Sequence, residues 1–172
     1  MLVNLKQIIG MAEEGGYCIP AFNVYNTETI MGVIKAAEEA KAPVIIQVYP
    51  RLVNEEVGYY LAPAILAAAK KATVPVCFHL DHGPSELEAQ KILYWGATGI
   101  MYDGSVHPYE ENVANTKHIV DICNAIDVGV EGEFLPCLGS QHPYGKGDDE
   151  GGIYDRNDDS GRRPELMECV ET

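Results

Sequence analysis

The chain has 172 residues, 47% of them apolar, which is enough for one domain with a true core and too ordinary for a disordered or collagen-like chain. Its formal charge of −14 repels phosphate backbones and anionic lipids, so nucleic acid and membranes are poor partners and an anionic substrate needs local help from a cation or backbone amides. No run of roughly eighteen or more apolar residues is present, the start lacks a secretory pattern, and the five cysteines are scattered without a C-x-x-C pair; a cytoplasmic protein with reduced thiols is expected.

Asn4 caps a first helix that carries Leu5, Ile8, Ile9 and Ala12 on one face and stops at Gly15-Gly16, after which residues 17–23 run extended. Asn26 caps a second helix, with Ile30, Val33, Ile34 and Ala37 spaced i, i+3, i+4 and i+7, and 43–48 is a buried strand. The stretch 54–72 reads as one helix with Pro63 near the start of its regular part, and 74–79 is the third strand. Its end meets His79, Asp81, His82 and Gly83. Pro84 and Glu86 suit the first turn of a helix through Tyr94, closed at Gly96, before a strand over 98–103. Pro108 opens a helix whose Tyr109, Val113, Thr116, Val120 and Cys123 share a face, and 128–134 is strand five. Residues 135–163 then read as a loop about thirty residues long, functional or flexible, with a final helix from Pro164 through Val170.

Five apolar strands alternating with helices call for a parallel sheet covered by helices, either open or part of a barrel. A full (β/α) barrel needs roughly 250 residues. The expected fold is therefore α/β, of the (β/α) TIM-barrel type and incomplete, with about five of the eight units in a single partial domain over 1–172.

In such folds the working groups collect at the carboxyl ends of the strands. Asn23, His79, Asp81, His82, Asp103, Glu131 and Glu133 all fall at or near that rim. His79 and Asp81 share a side of the strand, while His82, at the turn into Gly83, is freer to swing over its end. A neutral imidazole suits zinc and a nearby carboxylate suits proton transfer, which gives His82 the metal and Asp81 the acid/base role. Asp103 and Glu133 could then hold a second cation position. Each has a plainer reading: His79 as a hydrogen-bonded packing partner, Asp103 as a turn-former, Asn23 as a partner for loop amides. Glu131 and Glu133 cannot both be buried cheaply as charges, so at least one needs a cation or a donor, and Glu133 lies nearer the carboxyl end. His107, His118 and His142 read as solvated or capping groups, and Asp148-Asp149-Glu150 as a solvated acidic loop.

The motifs resemble the class II, metal-dependent fructose- and tagatose-bisphosphate aldolases. Gly15-Gly16-Tyr17-Cys18-Ile19-Pro20-Ala21-Phe22-Asn23-Val24 is similar to the family's G-G-Y-x-x-P-A-F-N segment, Ala42 to Gln47 to its second strand, and Val74 to Gly83 to its first signature, ending H-x-D-H-G. The similarity runs from about residue 5 to 134. It implies that Asp81 is the proton donor, His82 a ligand of a catalytic Zn2+, Asp103 and Glu133 ligands of a second or alternate divalent cation, and Asn23 a substrate-binding residue. The implied activity is zinc-dependent, reversible aldol cleavage of a phosphorylated ketose, a ketose 1,6-bisphosphate, to dihydroxyacetone phosphate and an aldehyde, in a homo-oligomer.

The chain departs from the family pattern at Tyr49, where a substrate-contacting serine is usual, and after Val130-Glu131-Gly132-Glu133, where the second signature breaks. The loop glutamate that abstracts a proton in the family has no secure counterpart in this pattern, and Glu150 is a candidate stand-in for it. The other two histidine ligands and the phosphate-binding loops lie in the family's carboxyl-terminal half, so the expectation is a truncated chain impaired on its own. Two alternatives stand beside it: a non-catalytic half-barrel that pairs with itself or another subunit, and another divalent-metal α/β enzyme.

Overall fold

The computed structural model describes residues 1–133. Within them helix α1 (Leu5–Gly15) leads into β1 (Ala21–Asn23), α2 (Thr27–Ala40) and β2 (Val44–Val48). A short α3 (Pro50–Asn54) and α4 (Glu56–Lys71) follow, then β3 (Val76–Gly83), α5 (Glu86–Tyr94), β4 (Gly99–Asp103), α6 (Tyr109–Asn124) and β5 (Gly129–Glu133). All pairings are parallel, and the strands lie in the order β1-β2-β3-β4-β5. Each strand thus neighbours the next with no reversal, which is the winding of a (β/α) barrel and not of a doubly wound sheet with a switch point.

The helix starts follow from local chemistry. Asn4 Oδ1 accepts the backbone N–H of Gln7 at 2.8 Å while the Gln7 side chain accepts from Asn4 N at 3.0 Å. Asn26 and Thr29 repeat this reciprocal cap on α2. Gly16 ends α1 in the left-handed conformation (φ 65°) that glycine adopts without strain.

Three boundaries differ from the sequence expectation. The first strand is only Ala21–Asn23, because Pro20 has no N–H for the ladder and joins it only by accepting from Ile45 N at 3.0 Å. The single helix expected over 54–72 is two, divided at Glu55, whose backbone is extended (φ −98°, ψ 158°). Pro63 sits inside α4, on its exposed side, and Tyr59, whose carbonyl it leaves without a helical donor, is also exposed to water. The third strand runs on to Gly83 instead of ending at His79.

Period-two alternation divides the sheet into two faces. Val44, Ile46, Val48, Val76, Phe78, Leu80, Ile100 and Tyr102 pack against Ile30, Leu61, Ile65, Ile92 and Ile119 of the covering helices. Ile46, Ile65, Phe78, Leu80, Ile92 and Ile100 are fully buried there, each contributing roughly 1.5–3 kcal/mol of burial free energy. On the opposite face a smaller cluster of Val3, Leu5, Ile8, Ile45 and Cys77 closes the amino ends of the strands. The chain start is fastened across those ends by Val3 N to Val76 O at 2.9 Å and Leu5 N to Thr98 O at 3.0 Å. Above that floor, the same face carries the polar residues. The loop expected over 135–163, the helix expected from Pro164, His142 and Glu150 lie outside the described residues.

Candidate active site

The registers line the polar residues up in rows. Asn23 pairs with Gln47, Gln47 with His79, and His79 with Gly99, so three polar side chains cross three adjacent strands at one level. Met101 pairs with Glu131 and Asp103 with Glu133 further along β4 and β5. Asp81 follows His79 on the same face of β3.

His82 would fall on the helix-covered face beside Leu80 if the alternation continued. It does not, because Leu80 pairs with Ile100 while Gly83 pairs with Tyr102, three steps on β3 against two on β4. This bulge puts His82 in the left-handed region (φ 48°), a conformation costing on the order of 1 kcal/mol for a residue with a Cβ. Gly83 has no room for a Cβ, which would stand 2.4 Å from Leu80 Cδ2 and 3.0 Å from Met101 O.

Two groupings result. In the first, Asp81 accepts a hydrogen bond at each carboxylate oxygen: Asn23 Nδ2 donates to Oδ2 at 2.8 Å and Gln47 Nε2 to Oδ1 at 3.1 Å. The same Gln47 nitrogen lies 3.4 Å from His79 Nδ1. In the second, His82 Nδ1 is 2.9 Å from Asp103 Oδ2 and 3.0 Å from Glu133 Oε2, while its Nε2 is 4.0 Å from Asp81 Oδ1. Asp103 is tied back by Ser105, whose N–H and Oγ donate to its Oδ1 at 3.1 and 2.5 Å. Asp103 is therefore held as a turn-former by Ser105 while its other oxygen faces His82. Asn112 of α6 pins the end of β5 by donating to the Glu133 carbonyl at 2.8 Å.

Electrostatics separate the groups. Burial holds the His79 imidazole neutral, down at about 4, against the pull of the Asp81 charge. His82 moves the other way: burial lowers its pKa, but the Asp103 hydrogen bond and the charges of Asp81, Glu133 and Asp103 outweigh it and raise it. Burial raises Asp103, yet its bonds from Ser105 and His82 bring it below the usual carboxylate range. The Glu131 carboxyl is raised by burial and then by the charges of Asp81 and Glu133.

His82, Asp103 and Glu133 can each present one donor atom within 4.8 Å of one another. Two carboxylates crowd one imidazole nitrogen, and Glu133 is only 9% exposed, so the set is a concentrated negative site of nitrogen and oxygen donors that a divalent cation fits.

The family model for class II fructose-bisphosphate aldolase matches residues 3–158. The chain belongs to the class II fructose-bisphosphate aldolase family. A Bacillus subtilis protein named a probable fructose-bisphosphate aldolase is 38% identical over 148 residues, covering 81% of this chain and 50% of that protein. A plasmid fructose-bisphosphate aldolase of Cupriavidus necator is 37% identical over 158 residues, covering 87% of this chain and 46% of that protein. The crystal structure of the YdjI aldolase from Escherichia coli K12 superposes with a TM-score of 0.74 at 38% identity, over 78% of this chain and 51% of that one. The chain thus spans about half the length of the aldolase relatives it matches.

Every aldolase-like position named from sequence within 1–133 reaches this one rim: Asn23, Asp81, His82, Asp103 and Glu133. His107 and His118 do not, pairing instead with Glu111 at 3.0 Å and Glu86 at 3.3 Å. Tyr49, at the usual serine position, stacks edge-on against Tyr25 with ring centroids 5.9 Å apart. Gln47 and Asn112 were missed. Gln47 reads from sequence as one polar residue in a buried strand, and that anomaly was the available signal.

Proposed function

We propose that this chain supplies the proton-transfer and metal-holding half of a class II aldolase centre, acting in the reversible aldol cleavage of a ketose 1,6-bisphosphate to dihydroxyacetone phosphate and an aldehyde. The observation that carries the reading is Asp81, fixed by an amide N–H at each oxygen and 4.0 Å from the imidazole of a metal-competent trio.

In the cleavage direction the Asp81 carboxylate takes the proton of the substrate hydroxyl that becomes the aldehyde oxygen as the adjacent carbon–carbon bond breaks. In condensation the same carboxyl returns it. Fixing both carboxylate oxygens removes rotation that would otherwise be lost at the moment of reaction. Asn23 Oδ1 is buried without a partner among the described residues, so a small shift that uncovers it beside Asp81 would give a substrate hydroxyl its acceptor. His82, with Asp103 and Glu133, would hold the cation, for which the family pattern points to zinc. When bound, it supplies Lewis-acid stabilisation of negative charge developing on the substrate's oxygens. A catalytic zinc site takes three protein ligands and water, and His82 is the imidazole that the trio offers.

The test is cleavage of fructose and tagatose 1,6-bisphosphate by the chain with Zn2+ and with a chelator. Chelator-sensitive release of triose, lowered at least about a hundredfold by Asp81→Ala, is the expected result. No chelator-sensitive cleavage of either sugar defeats the reading.

A further inference from the structure

His79 plays no part in the chemistry above, yet it is 1% exposed and its Nε2 is buried without a hydrogen-bond partner among the described residues. Such a group in the centre of a sheet is costly unless something is gained from its orientation. Glu131 Oε2 lies 3.7 Å from Nε2, and the other ring nitrogen faces Gln47.

We propose that His79 is a positioning residue, held as the neutral Nε2–H tautomer so that its Nδ1 accepts from Gln47, fixes the orientation of that amide and aims the amide's second N–H at Asp81. The argument is one of donor and acceptor inventory. Gln47 Nε2 carries two protons and lies 3.4 Å from His79 Nδ1 and 3.1 Å from Asp81 Oδ1. An Nδ1–H tautomer would set a donor against a donor. Turning the amide over to suit it would set the Gln47 carbonyl against the Asp81 carboxylate. Only the Nε2–H form satisfies both contacts, and it directs its proton toward the Glu131 carboxyl. Burial, which keeps the ring neutral, supports the same state. The ring's seat is shaped for it: a Cβ on Gly99 would come 2.7 Å from His79 Cδ2. The order Glu131, His79, Gln47, Asp81 then runs across β5, β3 and β2, with Asn23 of β1 completing the grip on Asp81.

The value of this orientation for turnover rests on the proton-transfer role proposed for Asp81; the tautomer and the amide orientation do not. Nitrogen-15 NMR of the histidine rings in the full 172-residue chain reads the tautomer directly and needs no variant. His79 should show an unprotonated Nδ1 and a protonated Nε2 at neutral pH; a protonated Nδ1 overturns the proposal. In Gln47→Leu the Nδ1 signal should move toward that of a free acceptor. In His79→Phe the Gln47 side-chain N–H signals should lose protection from exchange by about tenfold, as expected for a lost buried hydrogen bond. Unchanged signals in either folded variant also overturn it. Where the chain cleaves ketose bisphosphate, Gln47→Leu should lower kcat about tenfold with KM within about twofold. Absence of cleavage removes the proposed activity and leaves the spectra to decide the tautomer.

Discussion

Replacing His79 by Gln tests the burial of a neutral imidazole at the centre of the sheet. The folded ring titrates at about 4 against its usual 6.5, with burial as the largest cause. As the pH falls through 6.5 the unfolded chain takes up a proton that the folded chain does not accept until about 4. Stability is therefore full above 6.5, is lost across that window, and changes no further below it on this account. The whole window is worth about 3 kcal/mol, and the part between pH 7.5 and 5.0 about 2 kcal/mol; a ring only 1% exposed leaves little to solvent screening. His79→Gln has no titrating group there, so the variant's penalty should be largest at pH 7.5 and smaller by about 2 kcal/mol at pH 5.0. Urea unfolding of both proteins at the two pH values, followed by circular dichroism with a chelator present, measures the difference and cancels the titrating groups that do not interact with His79. A penalty that stays the same within about 0.5 kcal/mol would show that His79 is not the buried neutral base the structure makes it.

Gly99→Ala should destabilise the chain by about 1–3 kcal/mol, since its Cβ would stand 2.7 Å from His79 Cδ2 and 3.0 Å from Leu5 Cβ; an unchanged urea midpoint counts against that packing. Asp103→Asn and Glu133→Gln should each weaken Zn2+ or Mn2+ binding about tenfold or more by calorimetry, and equal affinities would remove those residues from the metal set. Asn112→Ala leaves the Glu133 carbonyl without its 2.8 Å donor, so it should cost about 1–3 kcal/mol and also lower metal affinity; loss of stability alone would mean that Asn112 does not place Glu133.

Much of the architecture was legible because it is local. Asn4 and Asn26 cap where their side chains reach the backbone N–H of the third residue on, and the short β-branched run Val44 to Val48, apolar except at Gln47, reads as a strand covered on both faces. The candidate site is legible through the rule that strands deliver chemistry at their carboxyl ends, which places Asn23, Asp81, Asp103 and Glu133 on one rim from sequence alone. What sequence could not give is register. Gln47 becomes a partner of Asp81 only because β2 pairs Gln47 with His79, and nothing along the chain states that pairing. Asn112 is similarly silent, a polar residue on a helix whose value lies in a carbonyl on the neighbouring strand. Pro63 misled because the solvent on its side of α4 answers the hydrogen bond it removes.

The adjacency of Asp81 and His82 is the feature that the fold had to work hardest to use. Neighbours on a regular strand point to opposite faces, so one of them should have been lost among the helices with Leu80. The extra residue between Leu80 and Gly83 breaks the alternation at that step and no earlier, after His79 and Asp81 have taken the site face. The consequence is chemical as well as geometric. Asp81 stays with the neutral donors Asn23 and Gln47, which hold a carboxylate without consuming its charge, while His82 turns to Asp103 and Glu133, whose combined charge calls for a cation. The proton-transfer role proposed for Asp81 and the metal-holding role proposed for His82 would thus fall to consecutive residues in different surroundings. The left-handed His82 and the crowded Gly83 are what that separation costs in backbone freedom.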